Sequence, residues 1–284
     1  MSEAGRAGGY YKIHERGPGF YRIGSPEGVH SELLVGAEKA LLLDTGFGIG
    51  NLPAAVAEVT DKPVTVINTH GHPDHACGNF RFAGPIYINE ADAELCRART
   101  TREARIGALA RIKAGGELPE DFDEEYYLSG GSGELAPLNE GDIFDLGGLT
   151  LEAVGLPGHT PGSIGMLWKE EKILFTGDAV NSCLWLWQEE SLSLSKYIET
   201  LRKAESLDFE RMVQSHYNRI EDKSILSLYM RAAVELDFDK GFPFRRGNMA
   251  AGRDVRMCPV DGLTPEDVSR PDFAAIVISP EHFG

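Results

Sequence analysis

Val64 to Asn79 reads VTVINTHGHPDHACGN, and the rest of the chain is organised around it. An apolar run, Val64 to Ile67, leads into four candidate metal ligands within six residues: His70, His72, Asp74 and His75. Alternate side chains of an extended segment share a face, so His70, His72 and Asp74 are expected to point into one cavity. Pro73 suits the turn into a helix, and it places Asp74 and His75 near that helix start, where an anionic side chain is favoured. Three imidazoles and a carboxylate are the nitrogen and oxygen donors that borderline divalent metals such as zinc prefer. A lone histidine more often satisfies an ordinary hydrogen bond; His-x-His-x-Asp-His at this density reads as a metal site.

Composition limits the alternatives. A chain of 284 residues can bury a large core, and its 42% hydrophobic and 25% charged residues are those of a globular protein. Lys plus Arg number 28 against 44 Asp plus Glu, a net charge of -16, so nucleic acid is a poor substrate for this surface. Cys77, Cys96, Cys183 and Cys258 show no C-x-x-C spacing, which argues against a disulfide framework or a structural zinc knuckle. Cys77, two residues past His75, reads as a small buried thiol rather than a ligand. The opening residues lack the basic-then-apolar pattern of a signal peptide, and no apolar run has the length of a membrane span. A cytoplasmic, reduced protein with no membrane partner is the expectation.

Along the chain, residues 1–19 are Gly-rich and read as irregular. Short strands are expected at 20–23, 29–35, 39–43, 85–88, 143–146, 149–154, 163–168, 172–175 and 211–214. Helices are expected at 52–59, at 90–113 with one break, at 195–207, and from a cap at Asp222 through Phe238. The acidic, aromatic segment 117–134 reads as a lid or a solvated excursion. Residues 274–278 read as an edge strand. LLLDTG, ending a strand at Asp44, is echoed by ILFTGD at Asp178, which suggests two similar halves donating loops to a shared edge. Asp44 either caps a turn or orients a metal-binding histidine. His159 lies in the Gly/Pro loop GLPGHTPGS, and His216 at the end of a strand, in SHY.

With THGHPDH, GHTPGS, TGD and SH in this order from Val35 to about Tyr217, the chain resembles the metallo-β-lactamase-fold hydrolase superfamily. The resemblance implies an α+β fold, a four-layer αββα sandwich of two mixed β-sheets with outer helices and the metal site at one sheet edge. It implies one domain over residues 1–284, with a helical, acidic insertion at about 90–135 and a C-terminal extension at about 239–284. Carried over by position, His70, His72 and His159 hold one metal, Asp74, His75 and His216 the other, and Asp178 bridges them. Two divalent ions follow, zinc first, with iron or manganese fitting the same donors.

Asp178 resembles the glyoxalase-II-like thioesterases, lactonases and phosphodiesterases rather than the antibiotic-degrading members. His72 departs from the H-x-E-x-D-H pattern of flavodiiron oxygen reductases. The implied activity is hydrolysis of a small-molecule ester, thioester, lactone or amide by a metal-bridging hydroxide, a metal pair lowering the pKa of bound water to about 7. Asp74 and Asp178 are the candidates for taking the water's proton. A mononuclear-iron persulfide dioxygenase or a phosphodiesterase of the same fold is the alternative. Trp185 and Trp187 either line an apolar pocket or pack the helix that follows. Tyr217 adjoins a ligand and is a candidate oxyanion donor, and Arg245 with Arg246 is a weaker candidate for a substrate carboxylate. No match to the glutathione-binding tail of glyoxalase II is present.

Overall fold

The computed structural model describes residues 6–7, 9–116, 118–245, 250 and 252–283. Its architecture follows from strands that are apolar on both faces. Leu41, Leu43 and Ile67 face one side of their sheet while Ala40, Leu42 and Val66 face the other, and all six are buried. Such continuous apolar runs belong to strands covered on both faces, and each fully buried leucine contributes about 1.5–3 kcal/mol.

The first sheet has eight strands in chain order: β1 (Arg6–Ala7), β2 (Lys12–Gly17), β3 (Phe20–Gly24), β4 (His30–Val35), β5 (Ala40–Leu43), β6 (Val64–Ile67), β7 (Pro85–Ile88) and β8 (Glu134–Pro137). It is antiparallel as far as β5 and parallel from β5 to β8. Parallel neighbours need crossovers. These are α1 (Leu52–Ala57), α2 (Pro73–Ala76), and then α3 (Glu90–Arg99), α4 (Arg102–Gly115) and α5 (Glu124–Ser129).

The second sheet begins with the antiparallel run β9 (Ile143–Asp145), β10 (Thr150–Gly155), β11 (Ile164–Trp168) and β12 (Ile173–Gly177). The chain then leaves through β13 (Cys183–Leu186) and α6 (Leu194–Ser206). It returns as β14 (Arg211–Gln214), parallel to β12, and β15 (Ile220–Asp222), before α7 (Leu226–Val234). β16 (Phe242–Pro243), β17 (Arg256–Pro259) and β18 (Ala275–Ile278) join β13 in a third sheet, ordered β13-β18-β17-β16.

Leu34, Leu41 and Ile67 of the first sheet meet Met166, Phe175 and Val213 of the second, forming the central core. Helix α1 covers the outer face of the first sheet. Helices α6 and α7, with Leu184 and Ile276 of the third sheet, cover the outer face of the second. The result is the expected α+β sandwich of mixed sheets with outer helices, to which the C-terminal segment adds a third sheet.

Several local expectations are corrected. Lys12–Gly17 is a strand, because buried Ile13 pairs with Ile23 despite the surrounding glycines. Ala275–Ile278 is an inner strand, buried on both faces between β13 and β17, and not an edge. Residues 118–134 are not wholly solvated: α5 buries Tyr127 and Leu128 against Ile49 and Leu109, while Glu124, Glu125 and Tyr126 stay exposed. The one break expected within the 90–113 helix is present and falls at Thr100, whose hydroxyl donates to the Cys96 carbonyl, and Thr101 caps the next helix. Asp222 caps only a short 3-10 turn, and α7 ends at Val234 rather than Phe238.

Candidate metal centre

All seven candidate ligands lie within a few residues of the carboxyl ends of strands. His70, His72, Asp74 and His75 follow β6; His159 follows β10; Asp178 follows β12; His216 follows β14. The alternation expected for His70, His72 and Asp74 is interrupted, because His72 is the N-cap of α2 and Pro73 its first residue. The turn aims the ligand atoms of Asp74 and His75 into a second group, although the His70 and His75 rings stay 4.1 Å apart, so the residues divide into two sets. His70, His72 and His159 form one, and Asp74, His75, Asp178 and His216 the other; within each, the donor atoms all lie within 4.8 Å of one another.

In the first set, His70 Nε2 and His159 Nε2 lie 3.0 and 2.9 Å from His72 Nδ1. In the second, Asp178 Oδ2 lies 2.9 Å from His216 Nε2 and 3.5 Å from His75 Nε2. Asp74 Oδ2 is 3.5 Å from His216 Nε2 and 3.7 Å from His75 Nε2. Asp178 Oδ2 also lies 3.9 Å from His159 Nε2, so it stands between the two sets.

The nitrogen of each imidazole that faces away from the cluster has a fixed partner. His75 Nδ1 donates to Asp44 Oδ2 over 2.7 Å, and His72 Nε2 donates to Glu190 Oε1 over 2.8 Å. His159 Nδ1 donates to the Trp185 carbonyl at 2.9 Å and His216 Nδ1 to the Gly28 carbonyl at 3.2 Å. Thr69 donates its hydroxyl proton to Asp44 Oδ2 and so accepts from His70 Nδ1 at 3.1 Å. Each acceptor keeps the proton on the outward nitrogen, so when the ring is neutral the other nitrogen presents its lone pair to the cluster.

The electrostatics divide the same way. Burial, helped by the neighbouring imidazoles, pushes His70 well below the ordinary range and His159 down to about 4, so both are neutral near pH 7. Burial would lower His75 too, but the Asp44, Asp178 and Asp74 carboxylates outweigh it and hold its pKa well above normal. Burial opposes ionisation of Asp178, yet His216 and His75 keep it well below the usual carboxylate range. His216 is raised against burial by Asp178 and Asp74. Positive charge is therefore favoured at the carboxylate-rich set, and lone pairs converge at the other. Both arrangements fit a divalent cation. His75 Nε2 and Asp178 Oδ1 are buried without a hydrogen-bond partner. Such a group costs about 1–3 kcal/mol unless something binds it, and a cation would satisfy both.

The sequence profile of the metallo-beta-lactamase superfamily matches residues 24–216, which include every candidate ligand. The chain belongs to the metallo-beta-lactamase superfamily. Among relatives, it is 29% identical over 231 residues to the human acyl-coenzyme A thioesterase MBLAC2, covering 74% of this chain and 78% of that protein. It is 29% identical over 148 residues to the hydroxyacylglutathione hydrolase GloC of Haemophilus influenzae, covering 50% of this chain and 62% of that one. The structure of a metallo-beta-lactamase from Pontibacter korlensis shares its fold, with a TM-score of 0.55 at 20% identity over 78% of this chain and 98% of that chain. Among the described residues, no helix of this superfamily member is long and apolar enough to cross a membrane.

The remaining sequence candidates fall into place around this superfamily site. Asp44 orients His75 and also accepts from the Thr69 amide at 2.7 Å. Its φ of 62° is in the left-handed region, where aspartate is among the tolerated residues. Trp187 is buried with Val255 and Val277 of the C-terminal segment, and Phe244 packs beside Trp185 and Trp187. These tryptophans therefore pack the third sheet, not the helix that follows. Tyr217 lies under the Arg219 guanidinium, 5.0 Å from the ring centre. Cys77 is buried and outside both donor sets. Arg245 is exposed, and Arg246 lies outside the described residues.

Two acidic residues at this site were not singled out by sequence. Asp92 on α3 accepts from the Gly71 amide (2.9 Å), the Gly162 amide (2.7 Å) and the Thr160 hydroxyl (2.7 Å), tying the His70–His72 loop to the His159 loop. A Cβ at Gly162 would stand 2.7 Å from the Asp92 carboxylate, so glycine is required for that approach. Glu190, in the loop before α6, is the other. Both read as surface charges on a helix or in a loop, and only an unusually buried carboxylate distinguishes them.

Proposed function

We propose that this protein is a metal-dependent hydrolase of small-molecule thioesters that works with two divalent cations, zinc foremost. His70, His72 and His159 would hold one cation, Asp74, His75 and His216 the other, with Asp178 shared. The observation that carries the reading is the pair of donor sets, each with its ligand atoms within 4.8 Å of one another, with Asp178 Oδ2 reaching toward both. The thioesterase and hydroxyacylglutathione hydrolase relatives favour a thioester over the lactone, amide or phosphodiester alternatives.

When bound, the cations would supply hydroxide near neutral pH and polarise the substrate carbonyl. The chain's own residues would do the rest. A water oxygen attacks the thioester carbonyl carbon, the C–S bond breaks, and the thiolate departs as the carboxylic acid forms. The water's proton passes to a carboxylate: Asp178 offers a buried, unpartnered Oδ1, and Asp74 a side chain that is 24% exposed. Asp44, Thr69 and the Trp185 carbonyl hold their imidazoles so that no histidine has to reorient during turnover.

The test is metal analysis of the purified protein together with hydrolysis of acyl-coenzyme A, hydroxyacyl-glutathione, lactone and phosphodiester substrates. Two metals per chain, thioester cleavage, and loss of activity to a chelator are expected. One iron per chain with oxygen uptake would overturn the reading in favour of dioxygenase chemistry, and preferential phosphodiester cleavage would overturn the substrate class.

A further inference from the structure

We propose that Glu190, anchored by Arg99, is a positioning residue that holds the His72 imidazole with Nδ1 turned toward His70 and His159. The inference rests on reading those three histidines as a cation site. It makes that site, and not the carboxylate-rich one, depend on a salt bridge between the β13–α6 loop and helix α3.

His72 Nε2 donates to Glu190 Oε1 over 2.8 Å, while Arg99 Nη2 donates to Oε1 at 3.0 Å and to Oε2 at 3.2 Å. The Glu190 side chain is 13% exposed and that of Arg99 44%, so the carboxylate is the sheltered member of the pair. Three separate elements meet there: His72 caps α2, Arg99 ends α3, and Glu190 lies between β13 and α6. Strand β13 and the same loop together reach a second histidine of the set. Trp185 accepts from His159 Nδ1, and the Ser191 hydroxyl donates to the His159 carbonyl.

On the nitrogen that faces away from the cluster, only His72 and His75 of the five imidazoles meet a carboxylate; the other three use a hydroxyl or a backbone carbonyl there. Each set thus contains one histidine backed by an anion. A carboxylate in that position fixes the tautomer and raises the basicity of the nitrogen that faces the cation. Arg99 gives the Glu190 side chain, which is long and rotatable, one favoured geometry. Arg99 lies seven residues, two helical turns, beyond Asp92 on α3, so both fall on one face of that helix. The helix supports the three-histidine set twice, through the loop backbones at Asp92 and through His72 at Arg99.

The test is a titration of metal-free protein with zinc(II) alone, against a chromophoric chelator that resolves two binding equivalents, with thermal melts of each metal-free variant. Glu190→Ala is expected to weaken one equivalent about 10–100-fold and leave the other unchanged. Arg99→Ala should weaken the same equivalent by less. Glu190→Gln should recover much of the affinity, because its amide oxygen still accepts from Nε2. Two unchanged equivalents in Glu190→Ala would overturn the proposal, as would equal weakening of both with a lowered metal-free melt, the signature of a general structural role. His72→Ala separates the two levels of the argument. If it removes one equivalent while Glu190→Ala removes none, only the positioning role fails; if it leaves both intact, the cation-site reading fails with it.

Discussion

Asp44→Asn probes the proposed second cation site without touching a proposed ligand. Asparagine tolerates the left-handed backbone at this position as aspartate does, so the φ of 62° adds no strain to the variant. Asp44 makes three side-chain contacts: Oδ1 with the Thr69 amide, and Oδ2 with the Thr69 hydroxyl and His75 Nδ1. If the amide oxygen takes the place of Oδ1, the Thr69 amide keeps its acceptor. The new NH2 can donate to the Thr69 hydroxyl, whose oxygen has room for it beside His70 Nδ1. His75 has no such escape. Its Nδ1–H would face another donor, so the ring must give up the Nδ1 proton and keep only one on Nε2, the nitrogen turned toward Asp74 and Asp178. The loss is one hydrogen bond to a charged group, about 1.5–3 kcal/mol. That corresponds to about 10–150-fold in affinity at one site, in line with losses seen when such supporting residues are removed. Zinc titration should show one equivalent weakened and the other, at His70, His72 and His159, retained. Two equivalents held as tightly as in the unmodified protein would refute the assigned role of Asp44.

Asp178→Asn keeps one oxygen but removes the negative charge between the sets, so at least one cation should be lost and turnover should fall more than binding of a substrate analogue. Metal content and turnover on one preparation decide it, and two tightly held metals with full turnover would show that Asp178 is not shared. With a chelator present, stability should fall as pH rises above about 6.5, the unfolded histidine value, through the raised folded values of His75 and His216, because protons stabilise the metal-free fold there. Thermal melts in chelator across that range, flat or rising with pH, would contradict it. For the same reason zinc uptake should release protons and tighten as pH rises, measurable by calorimetry in buffers of different ionisation enthalpy. Asp92→Ala strands the buried amides of Gly71 and Gly162, so a loss of about 2–6 kcal/mol in denaturant stability is expected, at about 1–3 per orphaned group.

The sequence alone determined the kinds of donor and most of the strands, because both are local. Alternation and apolar runs reveal a strand such as Ala40–Leu43 without reference to its neighbours, and His-x-His-x-Asp-His concentrates ligands within one loop. Family resemblance brought in His159, Asp178 and His216, which are remote in sequence and individually unremarkable. Tertiary structure decided how these residues divide: the start of α2 at Pro73, rather than continued alternation, separates His70 and His72 from Asp74 and His75. It also set Asp44 against His75, where local reading left a turn cap and a histidine partner equally open. Asp92 and Glu190 were beyond sequence reading altogether. A carboxylate among many in an acidic chain carries no mark of its burial, and their partners, Gly162 and His72, lie 70 and 118 residues away. The third sheet was missed for the same reason, since the pairing of Cys183–Leu186 with Ala275–Ile278 joins distant segments whose contact no local pattern encodes.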